Sequence, residues 1–199
     1  MESGILEGYI LGLISKEERE EVERLMESQE EIRLEVFRIS QEIEGFAKKQ
    51  AIPPDVTIKP LLMGIIDYDT RIGNGEVVTN PPVLGENSKI EDYADWLNRE
   101  DMVLPHNFNE EIHLKIIGYN AEKTTGILWL KSGAPPETHE TELERFLIVE
   151  GTCDIIIGNK VHSLVAGDFL EIPLFIEHRV KVTSSILCKA ILERFSVAA

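Results

Sequence analysis

Apolar residues in the first quarter of the chain return at helical intervals. Over residues 3–14 (S-G-I-L-E-G-Y-I-L-G-L-I), Ile5, Leu6, Tyr9, Ile10 and Leu13 share one helical face. Ser15 then opens S-K-E-E, with Glu18 at the third helical position, which predicts a capping box and a second helix. The apolar positions of that helix are sparse: Val22, Leu25 and Met26. A third helix carries Ile32, Val36, Ile39, Ile43 and Phe46 along a single seam. The Pro53-Pro54 pair breaks the pattern, and K-P-L-L-M-G-I-I-D-Y beyond it predicts a fourth, short helix. Helices of this size do not bury a face alone, so they pack together or onto a partner.

The pattern then changes. Residues 68–88 are dense in Gly, Asn and Pro and read as a linker. Ser88 is placed to cap a helix through K-I-E-D-Y-A-D-W-L-N-R-E, whose Ile90, Tyr93, Ala94 and Leu97 form a stripe suited to rest against a barrel. From His106 onward the segments alternate as strands do: E-I-H-L-K-I-I-G-Y, G-I-L-W-L-K and, last, S-I-L-C-K-A-I-L-E-R-F. Gly158-Asn159 is a dipeptide of the kind that closes a hairpin. Short strands at this spacing predict a double-sheet barrel of jelly-roll type, with Trp129, Phe146, Phe169 and Phe175 in its core. The expected fold class is therefore α+β: a small all-α domain over 1–67, a linker over 68–88, and a β-barrel with a leading helix over 89–199.

Charge narrows the function. The net charge of −16 over 199 residues opposes direct contact with nucleic acid or an anionic membrane, since phosphate contacts need a basic surface. It either keeps the chain soluble or attracts a basic partner. No apolar run reaches membrane-spanning length, and the amino end M-E-S-G-I-L-E-G-Y lacks the positive region of a signal peptide. A cytoplasmic location with reduced thiols is expected. Cys153 and Cys188 lie in apolar strand-like segments and read as buried small hydrophobes, with a sensor thiol as the alternative. His106, His113 and His162 lack partners at useful spacing and read as structural. No Ser-His-Asp set, phosphate loop or redox cysteine pair is present, so nucleophilic catalysis has no support.

Two patches carry the candidate chemistry. The first is G-A-P-P-E-T-H-E-T-E-L-E-R-F-L-I-V-E-G, Gly133 to Gly151; the second is G-D-F-L-E-I-P-L-F-I-E-H, Gly167 to His178. They resemble the two motifs of the cupin family: Glu144 and Gly151 stand in register with His139, and Gly167, Pro173 and His178 fit the second pattern. Glu137 occupies the position of the first motif histidine, and Phe175 that of the usual glycine after the proline. The resemblance implies a cupin barrel holding a divalent metal on His139, Glu144 and His178. Glu137 is favoured as the fourth ligand, and Glu140 is the alternative under the shorter motif spacing. Two imidazoles with carboxylates suit zinc, taken first here, or iron, manganese or nickel.

The amino-terminal run G-Y-I-L-G-L-I-S-K-E-E-R-E-E-V-E-R-L-M is similar to the start of the anti-sigma domain of extracytoplasmic-function (ECF) sigma regulators. The zinc-ligand positions of that family fall on Leu25, Gln29 and Ile32, none of which suits zinc. Together the halves resemble ChrR-type anti-sigma factors. That likeness implies an ECF-type sigma factor as partner and a barrel that responds to a small-molecule or oxidative stress signal. A small-molecule ligand in the barrel and a homodimer are left open. The competing readings are a metal-dependent cupin oxygenase, isomerase or hydrolase, and a metal-free binding module.

Overall fold

The capping box at Ser15 forms as its spacing predicts. In the computed structural model, which describes residues 4–197, the Ser15 amide donates to Glu18 Oε2 (2.8 Å) and the Glu18 amide to Ser15 Oγ (3.2 Å). The box starts α2 (Lys16–Ser28), which follows α1 (Ile5–Leu11) and precedes α3 (Glu30–Gln50). Ser3, the first residue of the predicted first helix, lies outside the described residues. These three helices form one unit, Met1–Pro54, and Asp55–Ala199 form the second. Within the first unit Val22, Val36 and Ile39 are buried. The predicted seam is only partly covered, because Phe46 at its end is 68 % exposed. Leu25 and Ile32 are half-buried and Gln29 is exposed at the α2–α3 junction. Packing alone, without a metal ligand at these positions, joins the two helices.

The second unit begins with a helix longer than the sequence pattern predicts. α4 runs over Ile58–Gly73, with Pro60 in its first turn, where a missing amide hydrogen costs nothing. Leu61, Ile65, Tyr68 and Ile72 pack on the barrel's main core. Gly64 is buried against the Leu114 carbonyl, which an added Cβ would approach to 3.0 Å. Arg71 donates through Nη2 to the Ile116 carbonyl. The first part of the predicted linker is thus helix, and α4 lies with the barrel.

Nine strands make two antiparallel sheets. Five are β1 (Ile112–Tyr119), β2 (Lys123–Leu130), β4 (Glu142–Glu150), β7 (Phe169–Ile172) and β9 (Cys188–Ser196), in the order β1-β2-β9-β4-β7. The others are β3 (Gly133–Glu137), β5 (Thr152–Ile157), β6 (Lys160–Val165) and β8 (His178–Val182), in the order β3-β8-β5-β6. Gly158, at φ 54°, opens the two-residue turn joining β5 to β6. The two sheets enclose Ile116, Leu128, Phe146, Ile148, Cys153, Ile155 and Cys188, making the cupin-type sandwich.

The five-stranded sheet is covered on its outer face too. Leu84, Tyr93 and Met102 pack there on Ile127, Trp129, Leu147 and Ile191. This explains the near-continuous burial of β2 and β9, where a sheet with one wet face would alternate. Leu84 lies in the stretch read as a linker, yet it is fully buried and its amide donates to the equally buried Glu193 carboxylate (3.3 Å). Lys123 (3.4 Å) and Arg145 (3.3 Å) neutralise that carboxylate. Glu76 similarly gathers Arg71 (2.6 Å) and Arg99 (2.7 Å). The helix predicted after Ser88 is reduced to a 3-10 turn (Ile90–Tyr93) and α5 (Ala94–Leu97). Ser88 is not its cap: its hydroxyl accepts from the Gly85 amide (2.9 Å), and Asp92 accepts from the Lys89 amide (2.8 Å). Among the described residues no helix is long and apolar enough to cross a membrane.

Candidate metal centre

Strand register brings the site together. Glu137, at the end of β3, pairs directly with His178, the first residue of β8. Gly133 lets β3 approach this closely: at its φ of 143°, an added Cβ would lie 2.1 Å from the Val180 carbonyl oxygen. In the other sheet Glu144 of β4 pairs with Arg194 of β9. Period-two alternation puts Glu144, Phe146 and Ile148 on the inner face of β4, and Ala190, Leu192 and Arg194 on that of β9. His139 comes after β3 in a loop whose carbonyl accepts from the Phe175 amide (2.8 Å). Phe175 holds a left-handed φ of 61° with its ring 69 % exposed, so the turn stays tight without glycine and the ring leaves the core. This corrects its expected place; of the other three only Phe146 lies in the core between the sheets, while Trp129, buried, and Phe169, half-buried, pack on the outer face of the five-stranded sheet.

The four expected ligands converge. One donor atom from each of Glu137, His139, Glu144 and His178 lies within 4.8 Å of all the others. His178 Nε2 is 3.1 Å from Glu144 Oε2, and His139 Nε2 is 3.6 Å from the same oxygen. Glu137 lies 3.7 Å from each imidazole, through Oε1 to His178 and Oε2 to His139. Glu144 and His178 are each 1 % exposed. The alternative ligand, Glu140, is exposed and outside the cluster. His106 and His162 also lie outside it, and His113 packs between Phe108 and Trp129.

Arg194 is the site residue that motif spacing does not reveal. Its Nε donates to Glu144 Oε1 (2.9 Å) and its Nη2 to Glu137 Oε2 (3.4 Å), so one guanidinium holds both carboxylates from behind. The available signal was a charge at an inward position of β9, two residues after Leu192. Burial works against the charge of Glu144, but His139, His178 and Arg194 outweigh it and hold that carboxyl well below its usual range. Burial and the nearby Glu144 charge push Glu137 upward, so the two carboxyls diverge. Glu144 raises His139 against the effect of burial.

The donors fit a divalent transition metal. Ligands about 2.1 Å from a common centre lie no more than about 4.2 Å apart, so small side-chain adjustments close the set. The buried His139 Nε2 has no hydrogen-bond partner, which is the expected condition of a nitrogen awaiting a metal. His178 Nδ1 is also buried without a partner. A cavity of about 50 Å³ adjoins the cluster. Glu137, Glu144 and Arg194 form its polar end, Leu114, Leu128, Leu130 and Phe146 its walls, and Thr57, Pro60 and Leu61 of the α4 region its cover.

Part of the barrel matches a known family. Residues 128–192 match the family described as "Cupin domain". Among solved structures, a cupin-2 domain containing protein from Shewanella frigidimarina is 21% identical, with 47% of this chain and 95% of that chain covered at a TM-score of 0.39. A predicted oxalate decarboxylase from Thermotoga maritima is 17% identical over 45% and 84% of the respective chains, with a TM-score of 0.41. A conserved protein of unknown function from Streptococcus pyogenes is 12% identical over 63% and 100%, with a TM-score of 0.44. No curated protein matches the sequence.

Proposed function

We propose that the chain is a cytoplasmic regulator in which a metal-loaded cupin barrel senses a small molecule or an oxidative signal and the helical unit grips an ECF-type sigma factor. The convergence of Glu137, His139, Glu144 and His178 carries the metal part of this reading. A bound divalent ion would supply a Lewis-acidic centre. The chain's own residues prepare that place: Arg194 fixes the carboxylates, Glu144 stays ionised, and both imidazoles present Nε2. Binding through Nε2 calls for the His178 tautomer that carries its hydrogen on Nδ1, the ring nitrogen that is buried without a partner.

The partner rests on the anti-sigma likeness, with two supporting features. Leu34 and Phe37 on α3 are exposed apolar side chains, 58 % and 64 %, and the chain is strongly acidic, which suits the basic faces of a sigma factor. Because Leu25, Gln29 and Ile32 replace the zinc ligands of the resembled family, this grip would depend on packing. The adjoining cavity favours a second reading, a metal-dependent cupin enzyme acting on a small molecule.

Metal analysis of protein purified without added metal is the first test. Near-stoichiometric metal is expected in the wild type, with a loss of tenfold or more in Glu144→Ala and His178→Ala, roughly the scale of a lost ligand or its support. Equal metal in all three proteins rules out the site. Co-purification with an ECF sigma factor encoded alongside is the second, and it should survive removal of the barrel; no association rules out the regulator and leaves the enzyme reading.

A further inference from the structure

We propose that Cys153 and Cys188 form a reversible disulfide between the two sheets of the barrel when the protein meets a hydroperoxide. The inference stands apart from the metal reading, and neither depends on the other. Cys188 opens β9 in the five-stranded sheet, and Cys153 lies near the start of β5 in the other. Both are free thiols facing the shared core, where Cys188 pairs across its sheet with Leu130, and Cys153 with Leu164 and Val182. Arg194 and its carboxylates stand at the other end of β9.

Sheets packed face to face stand about 10 Å apart, too far for a disulfide to span. At this end the sandwich closes. The chain crosses between sheets at Gly151, which joins β4 to β5, and the crossing rests on the first residue of β9. A Cβ added to Gly151 would stand 3.1 Å from the Cys188 Cα and 2.6 Å from the Leu187 carbonyl oxygen, an approach that its left-handed φ of 76° permits. Cys153 is the next residue but one, so the crossing itself brings the cysteines within reach. Their thiols are neighbours, each the chief influence on the other.

The oxidation takes place in two steps. The Cys188 thiolate attacks the terminal peroxide oxygen; the O–O bond breaks, an alcohol (water, from hydrogen peroxide) leaves, and Cys188 carries a sulfenic acid. Cys153 sulfur then attacks Cys188 sulfur, the S–O bond breaks, and water leaves with the Cys153 proton. Two thiols are oxidised and one peroxide is reduced. Cys188 acts first because the Cys153 thiol, hydrogen-bonded to it, holds it below its ordinary value against burial. Each residue is 1 % exposed, so the oxidant enters by local opening. The loop over the crossing, residues 183–187, is tied to Thr152 through Ser184 Oγ (3.0 Å) and the Thr183 amide (2.9 Å) and leaves Ile186 exposed.

The test treats the reduced full chain with hydrogen peroxide under native conditions, then alkylates it in denaturant for mass spectrometry. A peptide joining Cys153 to Cys188 is expected, with loss of both alkylation sites. The oxidised protein should unfold about 5 °C or more above the reduced one, since a long loop is closed, and a dithiol should reverse the shift. Cys153→Ala and Cys188→Ala should each abolish the shift; if either fails to fold, the wild-type peptide map and its reversal still decide. Protein stripped of metal by a chelator should respond alike, so this result and the metal analysis fail separately. Full alkylation of both thiols after peroxide, separate sulfinic acids, or a disulfide joining two chains overturns the proposal. A joined pair with no rise in unfolding temperature overturns it as well.

Discussion

Removing the Glu193 carboxylate tests whether the stretch around Leu84 is part of the barrel or a tether. Glu193 is fully buried and faces Lys123 at 3.4 Å, Arg145 at 3.3 Å and the Leu84 amide at 3.3 Å. Glu193→Ala removes a buried acceptor from two half-buried cations and one buried amide. Loss of one partner from a buried pair costs about 3–5 kcal/mol. Part is recovered here, because Lys123 keeps the Pro81 carbonyl and Arg145 keeps Glu171 and the Leu84 carbonyl. A loss of about 3 kcal/mol is the working figure. For a unit of roughly 150 residues that lowers the melting temperature by about 6–12 °C. Trp96 and Trp129 both belong to this outer layer, so tryptophan fluorescence in a urea titration reads it directly. Limited proteolysis gives the local view: residues 79–88 should resist cleavage in the wild type and become susceptible in the variant. A shift under about 0.5 kcal/mol with an unchanged denaturant slope, or rapid cleavage of the wild type there, would refute the reasoning.

Three further outcomes concern single residues. Gly133→Ala should destabilise the barrel by at least about 2 kcal/mol and reduce metal content, since its Cβ would meet Val180 backbone and displace Glu137; chemical denaturation with metal analysis checks both. Phe175→Gly should be neutral or stabilising by up to about 1 kcal/mol, because it relieves a left-handed residue whose ring is exposed, and thermal unfolding will show the sign. Glu76→Gln should cost about 1.5–3 kcal/mol at neutral pH. Arg99 chiefly, and Arg71 with it, hold the Glu76 carboxyl below its usual value despite burial, so its contribution is complete above the ordinary carboxyl range and disappears as pH falls through the lowered folded value. The wild-type advantage over the variant should shrink below about pH 4; a difference that is constant from about pH 7 to pH 3 would remove the ion cluster as its source.

What could be read along the chain was whatever depends on near neighbours. The Ser15 box, the seam from Ile32 to Ile43, the turn at Gly158 and the alternation in β4 and β9 each involve residues a few positions apart, where backbone period alone decides which side chains share a face. The four candidate ligands were legible only through the resemblance to the cupin motifs, and pairing of β3 with β8 sets Glu137 opposite His178. Arg194 was not, because a charged residue on an inward face gains its meaning only from the partner across the ladder, and Glu144 lies 50 residues away. The linker expected over residues 68–88 differs from the structure for the same cause: it begins in helix and includes the buried Leu84. Its Gly, Asn and Pro content describes a flexible segment, but Tyr68 and Leu84 are buried by a sheet assembled from residues far downstream. Phe175 took a conformation suited to glycine because the His139 carbonyl holds its amide. Local composition governs which conformations are cheap, and long-range contacts decide which expensive ones are kept.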